Sequence, residues 1–429
     1  MTRSLRCKAA LRRRLAALAA GVALLFALTF GAAAATKLTL LGIFPGDQAG
    51  QMQEFLNQWG GPRGVEVELV LATSWPELAD RAITMTAAGV GPDLIFSDQL
   101  RMHQLRGAGI VQPLDAWMER DGVGDGIFPP ALLAVMQFGG STYALPTNAS
   151  LFNIYYNASR FQERGLEAIP ADWNSPGWNW DDFVATLQRL TYDTSGDGTP
   201  DHWGTPSLGT FGVNMIGLWG LHWVNEDRTR FVGTDSEVIE AMTRIWSLWT
   251  EHGVIGGNFL NGTAGMQVVQ TQFLATLATQ AQDLFEWSIG VLPRGTTRAG
   301  NQVGVVGFYM NAASPNKDVA WELLRYLGTT GEAGTRLFEI TNRMPIQADA
   351  AARWAADWEA RIPGLPIWSV IQGFDYVWDW WAINGASAGD HIALMNEMGQ
   401  RVVRGELSPR QAIEQYAPRF QALLDSERQ

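Results

Sequence analysis

At 429 residues the chain is too long for one compact core and suits two domains. Its formal net charge of −12 makes it a poor partner for nucleic acid or anionic lipid. The single cysteine, Cys7, leaves no disulfide within the chain.

The first residues read as an export leader. Arg3, Arg6, Lys8, Arg12, Arg13 and Arg14 form a positive start, and an apolar run fills 15–30. Ala33 and Ala35 then fit the A-x-A cleavage spacing, so 1–35 is expected to be a secretory signal peptide. A transmembrane anchor is the other reading, but the run is shorter than the roughly 20 residues a spanning helix needs. The adjacent arginines also fit the twin-arginine route. Cys7 precedes the apolar run, so it is no lipid-anchor cysteine, and the mature chain is expected to hold no thiol nucleophile or thiolate metal site. Six bases leave with the leader, which takes the net charge to about −18.

In chain order, 37–43 predicts a first strand and Pro45-Gly46-Asp47 a turn. Met52, Phe55, Leu56 and Trp59 recur at helical spacing. A second strand covers 65–71, and Leu78, Ala82 and Ile83 mark a helix to about Ala88. Asp93 to Phe96 is a short buried strand. Strands alternating with helices imply a parallel sheet flanked by helices. Ligands of such sheets bind beyond the carboxyl ends of the strands. The loops at 44–48, 73–75 and 97–101 are therefore candidate ligand loops.

A second α/β stretch follows Leu145-Pro146, beginning with a strand at 151–157. Asn179 caps a helix with Phe183, Leu187 and Leu190 on one face. Thr234 and Glu237 fit a capping box for a helix over 234–252. A strand at 287–292 leads to a polar linker, 296–302, and then to the apolar stretch 303–310. Ser314-Pro315 predicts a helix start with Val319, Leu323, Leu324 and Leu327 on its buried face. Ser408-Pro409-Arg410-Gln411 is a capping box opening the last helix.

Tryptophan is abundant, with 19 residues, all after the leader. Most of these rings must serve packing. The rest offer wide apolar faces on which the C–H face of a sugar can stack.

Five ordered blocks then carry a resemblance. Ala87-Ala88-Gly89-Val90-Gly91-Pro92-Asp93-Leu94 is followed by Gly107-Ala108-Gly109-Ile110-Val111-Gln112-Pro113-Leu114. Next come Tyr143-Ala144-Leu145-Pro146 with Tyr155-Tyr156-Asn157, then Trp178-Asn179-Trp180-Asp181-Asp182-Phe183. Asn311-Ala312-Ala313-Ser314-Pro315-Asn316-Lys317 is the last. Together they resemble family 1 extracellular solute-binding proteins of ATP-binding-cassette sugar importers, especially the maltose-binding members. The resemblance implies the type II two-lobed periplasmic-binding-protein fold, α/β, with the ligand cleft between lobes joined by hinge crossovers. The lobes would be 36–145 plus 303–360, and 146–302 plus 361–429. It implies a periplasmic monomer that closes on a carbohydrate and presents it to membrane permease subunits, with no catalysis and no cofactor.

The resemblance also assigns candidate ligand residues. Phe44 opens the loop 44–48, and Gly46-Asp47-Gln48 matches a Gly-Asp-Lys loop that holds sugar hydroxyls; Gln48 replaces the Lys, and Asp47 reads equally as a turn residue. Trp75 stacks on a sugar or packs at a helix start. Ser97 stands where the maltose-binding members have a stacking Trp. Arg101 falls on their cleft Arg, or is a solvated helix residue. Leu100 replaces an Asp, which argues against maltodextrin; Asp98 is the acid that this loop does carry. Asn148 and Ser150 follow the crossover Pro146. Phe211 and Trp219 either stack on the ligand or pack in an ordinary buried helix. Gln270 and Gln272 fall on a cleft loop, and Gly307, Phe308 and Tyr309 where the chain re-enters the first lobe. Trp378, Trp380 and Trp381 are more rings than one helix face can bury.

A separate acidic loop places oxygen side chains at Asp193, Ser195, Asp197, Thr199 and Asp201 with Gly198 at the sixth position. That pattern fits a structural calcium loop, although the twelfth position is Gly204, or a tight acidic turn. The five histidines lack metal spacing. Rival ligands are a polyol, a phosphodiester or a polyamine. The rival class is a secreted glycoside hydrolase using a carboxylate pair such as Asp181-Asp182.

Overall fold

The computed structural model describes residues 36–124, 126–281, 284–295, 300–378 and 388–426. The expected leader, Trp380 and Trp381 lie outside them. Among the described residues no helix is long and apolar enough to cross a membrane.

The strands are β1 (Thr36–Gly42), β2 (Val65–Leu71), β3 (Leu94–Asp98), β4 (Gln137–Phe138), β5 (Ser141–Thr142), β6 (Ala144–Asn157), β7 (Met266–Gln270), β8 (Trp287–Gly290), β9 (Asn301–Met310), β10 (Met344–Pro345) and β11 (Val377–Trp378). β10-β6-β9-β3-β1-β2 is the main sheet path; β11 joins β9, and β7 and β8 join β6. β1 pairs in parallel with both β2 and β3, as the alternating pattern implies. Leu38, Leu40 and Leu41 of β1 have no solvent exposure. The helix Gln48–Gly60 buries Met52, Phe55, Leu56 and Trp59 in the same core.

β9 breaks the parallel pattern. It runs antiparallel between β3 and β6, pairing Ile95 with Tyr309 and Leu145 with Phe308. Asp93 ties this joint together. Its carboxylate accepts from the Thr39 amide at 2.8 Å, the Ser314 hydroxyl at 2.5 Å and Asn316 Nδ2 at 3.3 Å. The Pro-Asp of the first resemblance block is thus structural.

β6 begins at Ala144, seven residues before the expected strand. Thr147, Asn148 and Ser150 interrupt the apolar pattern there, although all three are buried. Pro146 lacks an amide, and the register shifts between Pro146 and Asn148. Up to Leu151 the strand pairs with β9; from Phe152 it pairs with β7 and then also with β8. Side chains fill the ladder at the change. Asn301 Oδ1 accepts from the Phe152 amide and Asn301 Nδ2 donates to its carbonyl, both at 3.0 Å. The Thr271 hydroxyl bonds the Leu151 amide and carbonyl at 3.0 and 2.9 Å.

Two apolar clusters lie on either side of this crossing. The first gathers β1, β3, most of β9 and the helix Lys317–Thr329, with Trp321 and Leu324 fully buried. The second gathers Phe183, Leu187, Leu218, Ile245, Trp246 and Phe420. Phe259, Leu274, Leu277 and Ile289 pack with the first cluster, as do Leu365, Ile367, Val370 and Phe374.

The expected cap at Asn179 is a full capping box, and the expected capping box at Ser408 is present. Asn179 Oδ1 accepts from the Asp182 amide at 3.2 Å and Asp182 Oδ2 from the Asn179 amide at 3.0 Å. Ser408 and Gln411 bond reciprocally at 3.3 and 3.0 Å. Two other expected starts are displaced. The helix expected from Thr234 is Ser236–Thr250, with Asp235 before it and no side-chain cap. The helix expected from Ser314 is Lys317–Thr329; the Ser314 hydroxyl donates to Asp93 and accepts from the Asn316 amide at 3.1 Å.

Candidate functional site

The carboxyl ends of β1, β2 and β3 share one rim of the sheet, because the three strands run in parallel. Trp75 opens the helix Trp75–Ala87, which Ser74 caps by accepting from the Glu77 amide. Asp98 ends β3 and caps the helix Gln99–Gly107, accepting from the Arg101 amide at 3.0 Å. Gln99 fixes that helix to β9: its amide donates to the Val303 carbonyl at 3.1 Å and accepts from the Val305 amide at 2.8 Å. Tyr309 adds a hydroxyl bond to the Asp98 carbonyl at 3.0 Å.

Arg343 reaches the same rim from the residue before β10. Its guanidinium lies 5.8 Å from the Trp75 ring. Burial pushes the Asp98 carboxyl above its ordinary value, while Arg101 and Arg343 pull it back. Burial lowers Arg343, which Asp98 partly offsets. Asp98 retains a solvent-accessible edge, so it sits in a recess.

The floor beside this recess is polar. Asn148 and Ser150 share a face of β6, two residues apart. Ser150 pairs with Gly304, and Phe152 with Gln270. A Cβ on Gly304 would lie 3.5 Å from Gln270 Nε2 and 4.0 Å from Ser150 Cβ, so glycine keeps that spot open. Gln272 Nε2 donates to Gln270 Oε1 at 2.8 Å, and Asn148 Nδ2 donates to the Arg343 carbonyl at 3.1 Å. Ser97 Oγ, Asn148 Oδ1, Ser150 Oγ and Gln272 Oε1 are buried without a hydrogen-bond partner. Each such group costs about 1–3 kcal/mol while unsatisfied.

Several expected ligand residues sit elsewhere. Phe44 is 2% exposed, stacked on Phe96 with centroids 5.2 Å apart; it folds back over Gly42 into the core. Phe308 and Tyr309 have no exposure and fill the first cluster. Gly307 is required by packing, since a Cβ there would come 2.4 Å from the Leu145 carbonyl oxygen. Those four are corrected to structural residues. Phe211 has a left-handed backbone, φ 52°, and packs against Trp249 and Gly399. Trp180 meets Trp219 at 5.2 Å, steeply tilted, within the second cluster. Asp47 is exposed on the rim and caps nothing by its side chain, and Gln48 is the first helical residue beside it. Trp378 pairs through its backbone with Gln302.

The acidic loop turns its oxygens onto itself. Asp193 accepts from the amides of Gly196 at 2.8 Å and Gly198 at 2.7 Å, and Asp197 from the Thr199 amide at 2.8 Å. Ser195 Oγ donates to Asp193 at 2.9 Å, and Asp201 faces Thr194 and His202. Among the described residues no group of three or more His, Cys, Asp or Glu side chains could hold a metal ion. The side chains thus hydrogen-bond within the loop.

Two features had no sequence signal. Arg343 follows the polar Thr341-Asn342 and gains its place through the β10–β6 pairing. His103 meets Arg228, whose Nη1 donates to His103 Nε2 at 2.9 Å. That contact joins the helix Gln99–Gly107, packed on the first cluster, to the loop between Val224 and Phe231 of the second. Arg228 has φ 56°, and His103 is held neutral, down to about 3, by burial, Arg228 and Arg106.

Comparison with known proteins accords with this geometry. The chain is 26% identical over 270 residues to a Brucella abortus protein described as a binding protein, covering 59% of this chain and 62% of that one. The alignment thus spans less than two thirds of that relative's length. An ABC substrate-binding protein from Listeria monocytogenes, in complex with cycloalternan, superposes with TM-score 0.73 at 18% identity, over 91% of this chain and 99% of that one. A solute-binding protein from Thermotoga lettingae, bound to α-D-tagatose, superposes with TM-score 0.70 at 20% identity, over 91% and 100%. The fold is therefore the two-lobed α/β binding-protein fold. The model of bacterial extracellular solute-binding proteins matches residues 46–334, and the chain belongs to that family.

Proposed function

We propose that this chain is the periplasmic substrate-binding component of an ATP-binding-cassette importer and that its ligand is a carbohydrate. The observation that carries the reading is the recess beside Trp75. It combines an apolar ring with three buried polar atoms that lack partners, on Asn148, Ser150 and Gln272. A sugar matches both, with a C–H face for the ring and hydroxyls for the orphan atoms. The sugars held by the Listeria and Thermotoga proteins support the same class.

The two lobes divide where β6 changes partner from β9 to β7, near 151/152, and close over the ligand as a hinge. The closed monomer is read by permease subunits of the membrane. The leader 1–35 sends it to the periplasm. No catalysis is part of this reading. Asp181 and Asp182, the carboxylates a glycosidase would need, open a helix, where Asp182 is engaged in its capping box.

Titration of the purified protein with mono- and oligosaccharides, followed by tryptophan emission and calorimetry, tests the proposal. Saturable binding without turnover is expected. Hydrolysis of the sugar, or no binding across the panel, would overturn it.

A further inference from the structure

The Trp75 recess holds more positive charge than a neutral sugar requires. Arg101 and Arg343 both bear on the Asp98 carboxyl, so one acid faces two guanidinium groups. Neither guanidinium donates a hydrogen bond or forms an ion pair among the described residues. Arg343 is nonetheless half-buried and held in place. The Trp75 ring lies beside its guanidinium, Asn148 binds its carbonyl, and β10 pairs with β6 next to it. A half-buried guanidinium without a hydrogen-bonded protein partner is open to an incoming acceptor.

Two guanidinium groups about one acid stand out in a chain with net charge −12. Low-dielectric walls focus such a field onto whatever enters the recess. The planar fork of an arginine matches a carboxylate or phosphate with two parallel bonds.

We infer that the sugar taken by this site carries an anionic oxy-group, a carboxylate or a phosphate, seated between Arg343 and Arg101 beside the Trp75 ring. The inference rests on the carbohydrate reading above. The ring takes the apolar face of the sugar, and the orphan oxygens of Asn148 and Ser150 take its hydroxyls. The two arginines select for charge. Asp98 repels a ligand whose anion approaches from the wrong side.

Calorimetric titration with three probe sets tests this: uronic-acid disaccharides, hexose phosphates, and the matching neutral sugars. A charged probe is expected to bind at least tenfold more tightly than its neutral parent, and the arm that binds identifies the group. Arg343→Gln should remove most of that preference, and Arg343→Lys should restore part of it. Raising the salt should weaken the charged probe and leave the neutral one unchanged. Equal affinity for charged and neutral sugars overturns the inference and leaves carbohydrate binding intact. So does an Arg343→Gln variant that loses both alike. Failure of every sugar, charged or neutral, overturns the carbohydrate reading itself and the inference with it. Circular dichroism of the variant separates lost binding from lost folding.

Discussion

His103 offers a quantitative test of how the two clusters are held against each other. The ring is 4% exposed and accepts a hydrogen bond from Arg228 at 2.9 Å. It meets Phe138 edge-on at 5.2 Å. Burial, then Arg228 and Arg106, lower it from the ordinary 6.5 to about 3. The unfolded chain therefore binds a proton at this ring below 6.5, while the folded chain refuses it until about 3. Stability from this group is complete above 6.5 and is lost progressively as the pH falls through that window. The slope is about 1.4 kcal/mol per pH unit. From pH 6.5 to 4.5 the loss is about 3 kcal/mol, with a ceiling of roughly 5 kcal/mol over the full window. The same linkage acts on any opening that exposes the ring. His103→Gln keeps an acceptor for Arg228 and cannot titrate. Urea denaturation of both proteins, at fixed salt and across that pH range, isolates the ring, because the other acids are common to both. The stability advantage of the parent over His103→Gln should shrink by about 3 kcal/mol from pH 6.5 to 4.5. A difference that does not change with pH would refute the reasoning, as would an imidazole resonance titrating near its ordinary value.

Other outcomes follow from the same geometry. Ser150→Ala removes a buried hydroxyl that lacks a partner, so the unliganded protein should keep or gain up to about 1–3 kcal/mol of stability while sugar affinity falls; a clear loss of stability by thermal melting would contradict the orphan assignment. Asn301→Ala strips the Phe152 backbone of both its side-chain partners where β6 changes neighbours, and should cost about 2–3 kcal/mol in urea denaturation. Asn179→Ala should cost about 1 kcal/mol, and combined with Asp182→Ala it should cost less than the sum, since the two share one capping box.

Much of the local structure is written in the chain. The apolar spacing of Met52, Phe55, Leu56 and Trp59 places a helix, and the reciprocal bonding groups of Asn179 and Asp182, or Ser408 and Gln411, place helix starts. These are interactions between residues a few positions apart, so a reader of the sequence meets both partners at once. Where a side chain had a distant partner, that reading failed. Ser314 bonds Asp93 across the fold and its helix begins only at Lys317, and the polar run in β6 is a strand because β9 covers it.

The candidate site divides in the same way. Trp75, Ser97, Asp98, Arg101, Asn148 and Ser150 follow from strand ends and from family resemblance, because loops beyond parallel strands fall on one rim. Phe308 and Tyr309 are adjacent on β9 and face opposite sides, yet both are buried because both faces of that strand are covered, and Phe44 folds back over Gly42; only the packed structure shows this. Arg343 and the His103–Arg228 contact were invisible, since their partners lie more than a hundred residues away along the chain. The sequence by itself determined the alternating α/β elements and the family. The tertiary structure alone decided which polar groups are buried without partners and which cations meet, because both depend on neighbours brought together from distant segments.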